Sequence, residues 1–191
     1  MKADLQKYLQ DARDALLWKL DGLSDYDIRR PLTPTGTNLL GLVKHVALVE
    51  TGYLGESFGR PIANQLPGLE DEAEPNADMW ATPEESRELI IDFYRRVWAH
   101  DDETITTLDL DAVGRVPWWP AQTREVPLHR LLIHMISETE RHTGHADIVR
   151  ELIDGAAGMR QSSSNLPEGD PAWWAAYREK VQHAADKYAG S

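Results

Sequence analysis

The chain contains no cysteine. That excludes disulfides, Cys-rich zinc sites, iron–sulfur clusters and a cysteine nucleophile. Any thiol chemistry must therefore use a sulfur that arrives on a small molecule. Basic charge is also scarce: 20 Lys and Arg stand against 32 Asp and Glu, a formal net charge of -12. A phosphate-backbone binder needs a basic face, and so does a protein drawn to an anionic lipid surface. Neither nucleic acid nor membrane is an expected partner. Long hydrophobic runs are missing too. No stretch approaches the ~18–20 apolar residues of a membrane span, and Met1-Lys2-Ala3-Asp4 leads into no apolar signal core. The expectation is a cytoplasmic protein. With 41% apolar and 27% charged residues, wholesale disorder is excluded. The length of 191 residues suits one domain, 1–191.

Alternating strand patterns are absent, apart from a short extended piece expected within 105–117. Helical periods fill most of the rest. Leu5, Leu9, Ala12, Leu16, Leu20 and Leu23 recur three or four apart, and after a cap at Asn38 so do Leu39, Leu42, Val43, Val46, Val49 and Tyr53. A third helix is expected to start at Thr82-Pro83-Glu84-Glu85, which reads as N-cap, first-turn Pro and capping-box Glu, with Leu89 or Ile90, Phe93, Val97 and Thr104 inward. A fourth runs from Pro127 to a stop at Gly155, and a fifth follows Asp170-Pro171. The pattern predicts an all-α protein: an up-and-down four-helix bundle over about 1–155 with an additional C-terminal helix near 170–189. Loops fall at 31–37, 59–81, 111–127 and 155–170. The third of these is long enough to be functional.

The fourth helix carries the chemistry. Its seam reads Leu128, Leu131, Met135, Glu138, His142, His145, Val149, Leu152, in steps of three and four. The ends are apolar and the middle is titratable, so the buried groups need a partner. His134 borders the same face, and His45 borders the apolar stripe of the second helix. Glu138 and His142, four apart, can hold one divalent cation, and His45 from the facing helix would complete a three-ligand set. Two His and one Glu suit zinc first, and also nickel, manganese or non-haem iron. Each residue also has a plainer reading. His45 alone reads as a core histidine, Glu138 with His142 as a buried ion pair, and His145 as a cap on a carbonyl. His100, His129 and His183 sit in polar company and read as surface residues.

These residues resemble a known family. Asn38-Leu39-Leu40-Gly41-Leu42-Val43-Lys44-His45-Val46 with Glu50, followed by His134-Met135-Ile136-Ser137-Glu138-Thr139-Glu140-Arg141-His142-Thr143-Gly144-His145-Ala146-Asp147, is similar to the paired motifs of the DinB-like (DinB/YfiT-like) superfamily. The closest likeness is to its actinobacterial subgroup of mycothiol-dependent S-transferases, and it extends over residues 1 to about 155. The resemblance implies a divalent metal in a four-helix core, held at the positions of His45, Glu138 and His142. Many relatives carry His where Glu138 stands. Those similar to the mycothiol-dependent isomerase carry Glu. His134 and His145 remain as replacements or as groups that orient the ligands.

The implied chemistry is attack by a low-molecular-weight thiol, mycothiol or bacillithiol, on an electrophilic small molecule, in a detoxification role. The metal would supply the deprotonated thiol that the cysteine-free chain lacks. Trp118 and Trp119, just before the metal helix, would stack an apolar electrophile or else plug the bundle end. Arg141 would hold an anionic group of the thiol or else face solvent. Trp173 and Trp174 would dock the last helix. Three other functions fit the same residues: a metal-dependent hydrolase with Glu50 or Glu151 as base, a non-enzymatic metal-binding stress or damage-response protein, and a helical interaction module that needs no metal. The apolar stripes would also serve a homodimer.

Overall fold

The computed structural model describes residues 1–70 and 72–190. Helix α1 spans Lys2–Leu17 and ends in a 3-10 turn at Trp18–Leu20. A one-turn helix α2, Asp25–Arg29, is capped by Ser24, whose hydroxyl accepts from the Asp27 amide. Helix α3 covers Leu39–Glu50. The expected cap at Asn38 is in place, its side chain accepting from the Gly41 amide at 2.8 Å, a bond of the kind that stabilises a helix start by about 1 kcal/mol. The chain then widens into a π-helical turn at Thr51–Gly55, and α4 follows at Arg87–Thr107.

Two short strands, β1 (Val113–Arg115) and β2 (Glu125–Pro127), pair antiparallel with Gly114 opposite Val126. The first falls in the expected extended piece. The second lies in what the sequence presents as loop. Helix α5 spans Leu128–Asp154 and stops where Gly155 enters the left-handed region at φ 81°. Helix α6, Pro171–Asp186, is capped by Asp170 as expected.

The all-α expectation holds. Helices α1, α3, α4 and α5 form the bundle, with α1 packed chiefly on α5 and α3 on α4 and α5. Among the described residues no helix is long and apolar enough to cross a membrane.

Four local expectations need correction. Helix α4 starts at Ser86, not at Thr82: the Ser86 hydroxyl accepts from the Leu89 amide, whereas Thr82–Glu85 closes a turn in which Glu85 accepts from the Thr82 amide at 2.8 Å. The reason is tertiary. Buried Lys44 draws Glu85 into a 2.9 Å ion pair. The α5 seam also departs from the sequence reading: His145 is exposed and Leu152 is 62% exposed, while Thr139, Thr143, Ala146 and Arg150 turn inward. A strict 3.5-residue repeat drifts on a straight helix by about 20° per heptad, and over this length the drift is roughly 70°. His100 is half-buried, with Nδ1 2.7 Å from the buried carboxylate of Asp101. Finally, α6 buries no residue; Trp173, Trp174 and Tyr177 pack largely on one another.

The core is two apolar clusters with a polar layer between them. One gathers Leu16, Leu42, Val46, Phe93, Val97 and Ala146, the other Leu9, Leu54, Ile105, Leu131 and Met135. Along each bundle helix the stretch between the two is polar and buried: Arg13 on α1, Glu50 on α3, Asp101 and Thr104 on α4, Thr139, His142 and Thr143 on α5. Arg13 donates through Nε to Glu50 at 3.0 Å and through Nη1 to Asp102 at 2.9 Å. Burial pushes the Glu50 carboxyl upward against the pull of Arg13, and Glu50 in turn keeps the guanidinium charged.

Candidate metal centre and aromatic cleft

The polar layer reaches the surface where α3 faces α5. Glu138 and His142 lie one turn apart on α5, with Oε1 3.1 Å from Nε2. His45 of α3 presents Nε2 3.6 Å from the same Glu138 oxygen, and its ring meets that of His142 edge-on at 4.6 Å. All three ligand atoms lie within 4.8 Å of one another, and among the described residues this is the only such cluster of three or more.

The outer shell of this cluster is specific. Asp78 Oδ2 sits 2.6 Å from His45 Nδ1, and His145 Nδ1 sits 3.4 Å from His142 Nδ1. Once Nδ1–H of neutral His45 donates to Asp78, its Nε2 faces Glu138 as a bare lone pair. Burial, reinforced by the neighbouring His45, lowers the His142 pKa and favours the neutral ring; burial tends to raise Glu138, but His142 and His45 hold it below the usual carboxylate range. Two imidazole nitrogens and a carboxylate oxygen converging on one point can each offer a lone pair to the same ion. A divalent cation satisfies them together, so the donor set fits the expected metal.

Asp78 was not legible in the sequence. It comes from the 59–81 loop, in a 3-10 turn at Ala77–Met79. That loop is strapped onto the first turns of α3. Asn38 Nδ2 donates to Met79 O at 3.2 Å, and Lys44 Nζ donates to Ala77 O and Trp80 O at 3.0 and 3.2 Å. Gly41 permits the approach, because a Cβ there would overlap the Met79 carbonyl. Gly41 and His45 are four apart and share a face, so a loop seated on one delivers Asp78 to the other. The sequence signal was Lys44, a cation on a helix that is apolar apart from His45 and Glu50.

Beside the cluster opens a cleft of about 880 Å³, lined among others by Tyr53, Trp118, His134 and Glu138. The β1–β2 connection forms one wall and the π-helical turn another. Gly52 in that turn leaves room for Trp118, whose Cη2 would lie 2.6 Å from an added Cβ. Tyr53 meets Trp118, Trp119 and His134 edge-on, with ring centroids at 5.2, 5.9 and 4.5 Å. Its phenol oxygen accepts from both indole N–H groups, at 3.4 Å from Trp118 and 3.2 Å from Trp119, which leaves its own O–H to donate elsewhere.

The remaining candidates are distributed as follows. Trp118 is half-exposed in the cleft, whereas Trp119 packs against the apolar cluster at the bundle end. His134 belongs to the aromatic wall and lies outside the three-ligand cluster. Arg141 is exposed and does not line the cleft. The two carboxylates considered as a hydrolytic base lie elsewhere: Glu50 is buried against Arg13, and Glu151 is exposed beside α6.

A family model described as mycothiol S-transferase matches residues 4–155. The chain belongs to the mycothiol S-transferase family. This agrees with its likeness to the DinB-like superfamily. None of the curated proteins matches. Among solved structures, a conserved protein from Enterococcus faecalis aligns with a TM-score of 0.60 at 16% identity, over 81% of this chain and 98% of that one. That match speaks to the fold alone. Helix α6 lies beyond the segment that the family model covers.

Proposed function

We propose that this protein is a divalent-metal-dependent thiol S-transferase, in which a low-molecular-weight thiol attacks an electrophilic small molecule seated in the aromatic cleft. The observation that carries the reading is the convergence of His45 Nε2, Glu138 Oε1 and His142 Nε2 beside that cleft. Three protein ligands leave a position open for an exogenous group. A divalent ion held there, zinc in the first instance, supplies a thiol deprotonated at neutral pH and keeps its charge beside the electrophile.

Each residue then has a task. His45, Glu138 and His142 hold the ion. Asp78 fixes the tautomer and the angle of His45. The half-exposed Trp118 ring, with Tyr53 edge-on to it, offers an aromatic wall for the electrophile, and the Tyr53 hydroxyl is free to donate to an acceptor on it. The family name favours mycothiol as the thiol, with bacillithiol second. A cytoplasmic role in detoxification follows from such a reaction. The hydrolase alternative loses ground because neither Glu50 nor Glu151 lines the cleft.

The test has two steps. Elemental mass spectrometry of untagged protein should find about one divalent ion per chain, missing from His45→Ala and His142→Ala. The loaded protein should then accelerate the reaction of mycothiol with bromobimane or a chlorinated nitroaromatic. A metal-free wild type that takes up no zinc, nickel, manganese or iron refutes the metal centre. A loaded protein inactive with both thiols refutes the transferase.

A further inference from the structure

We infer that the cleft sorts its electrophiles by charge, admitting a flat cationic or uncharged aromatic group and rejecting an isosteric anion. This extends the proposed function to a substrate class, and it rests on the cleft being the electrophile's seat. The cleft lining includes the carboxylates of Glu56, Glu70 and Glu138 and no lysine or arginine. Glu138 faces the two imidazoles and belongs to the metal centre. A divalent ion, Glu138 and a thiolate sum to roughly zero charge, which leaves Glu56 and Glu70 uncompensated.

Among the described residues neither of those carboxylates has an ion-pair partner. Glu56 Oε1 accepts from Gln65 Nε2 at 3.1 Å, and Glu70 Oε2 accepts from the Gly68 amide at 2.7 Å, which draws its pKa down. Most groups that would grip an anion are already engaged, leaving the Tyr53 O–H as an uncharged donor. The indole N–H donors of Trp118 and Trp119 are spent on the Tyr53 oxygen. The Lys44 ammonium is spent on Glu85 and two carbonyls. Arg130 lies 6.0 Å from the ring centre of Trp119, a residue outside the cleft lining. What the cleft does offer is aromatic surface, the half-exposed Trp118 ring with Tyr53 edge-on to it, and such faces attract cations. The net charge of -12 adds a field of the same sign.

Because the rim carboxylates are exposed, each contributes modestly, and the expected discrimination is about tenfold at low salt. The test uses unreactive isosteres, so that binding is read apart from turnover. Zinc-loaded protein saturated with mycothiol is titrated calorimetrically with phenyltrimethylammonium and with benzenesulfonate. The expected result is tighter binding of the cation by about tenfold. The ratio should shrink toward unity with added salt and in the Glu56→Gln/Glu70→Gln double variant, and Trp118→Ala should weaken the cation. Equal affinities, tighter sulfonate, no binding of either ion, or a ratio unmoved by the double variant overturns the inference. A protein that sorts these ions but transfers no thiol retains the charge-selective cleft and loses the transferase reading. One that transfers thiol to bromobimane without sorting the ions does the reverse.

Discussion

Asp78 Oδ2 lies 2.6 Å from Nδ1 of His45, across 33 residues of chain. The contact ties the edge of His45 that faces Glu138 to a loop outside the three-residue cluster, and an imidazole can present Nε2 to a cation only while Nδ1 carries the proton. Removing such a supporting carboxylate costs roughly 10–100-fold in metal affinity. Asp78→Asn is therefore expected to weaken zinc binding by that factor in competition with a chromogenic chelator, with helical circular dichroism unchanged. Wild-type affinity in the variant would strip Asp78 of this role.

Gly41→Ala should act on the same contact from the opposite side. The added methyl displaces the Met79 carbonyl and with it the Ala77–Met79 turn, so the variant is expected to lose both stability and metal affinity. A destabilisation of about 1–3 kcal/mol is the usual scale for overpacking. Chemical denaturation and metal competition read the two effects separately. Lowered stability with intact affinity would show that the loop reseats without disturbing Asp78.

The buried Arg13–Glu50 pair makes an asymmetric prediction. Glu50→Leu leaves a buried guanidinium with only Asp102 and Gln10 for partners, and breaking a buried pair costs about 3 kcal/mol or more. Arg13→Met combined with Glu50→Leu removes both charges and should recover most of that loss. Urea unfolding of the two single variants and the double one decides the matter. A double variant as unstable as the sum of the singles would show that the two residues support the core independently, with no coupling between them.

Asp101 gives the pH dependence. Burial first, and the nearby Glu50 second, hold its carboxyl well above the ordinary value of 3.8. A group whose pKa is raised by folding favours the native state at low pH, and that advantage is lost as pH rises from its unfolded value toward its folded one. Asp101→Asn removes the titration. The variant should match wild type near about pH 3 and gain relative stability as pH climbs through 4 toward neutrality. Thermal unfolding across that range measures it. A constant offset at every pH would mean that Asp101 titrates normally.

Much of the molecule was legible in its local pattern. Leu9, Ala12 and Leu16 on α1 and Leu42, Val43 and Val46 on α3 were inward because a helix repeats its faces every three or four residues. The same rule placed Glu138 beside His142, and Asn38, Asp170 and Gly155 punctuated their helices as their side chains dictate. The rule failed where it was extended too far. His145 and Leu152 turned outward because the strict seam drifts away from a 3.6-residue helix. Thr82 lost the helix start to Ser86 because Glu85 was needed by Lys44.

The sequence by itself determined an all-helical bundle, a chain with no thiol of its own, and a helix presenting a carboxylate and an imidazole on one face. All of these follow from composition or from contacts within a few residues, where chain geometry leaves little freedom. Only the tertiary structure decided that Asp78 supports His45, that Tyr53 takes both indole donors, that Glu50 answers Arg13 rather than a substrate, and that Glu56 and Glu70 share the cleft. These are meetings between segments tens of residues apart. They depend on how loops seat on helices, and no periodicity along the chain encodes where a loop comes to rest.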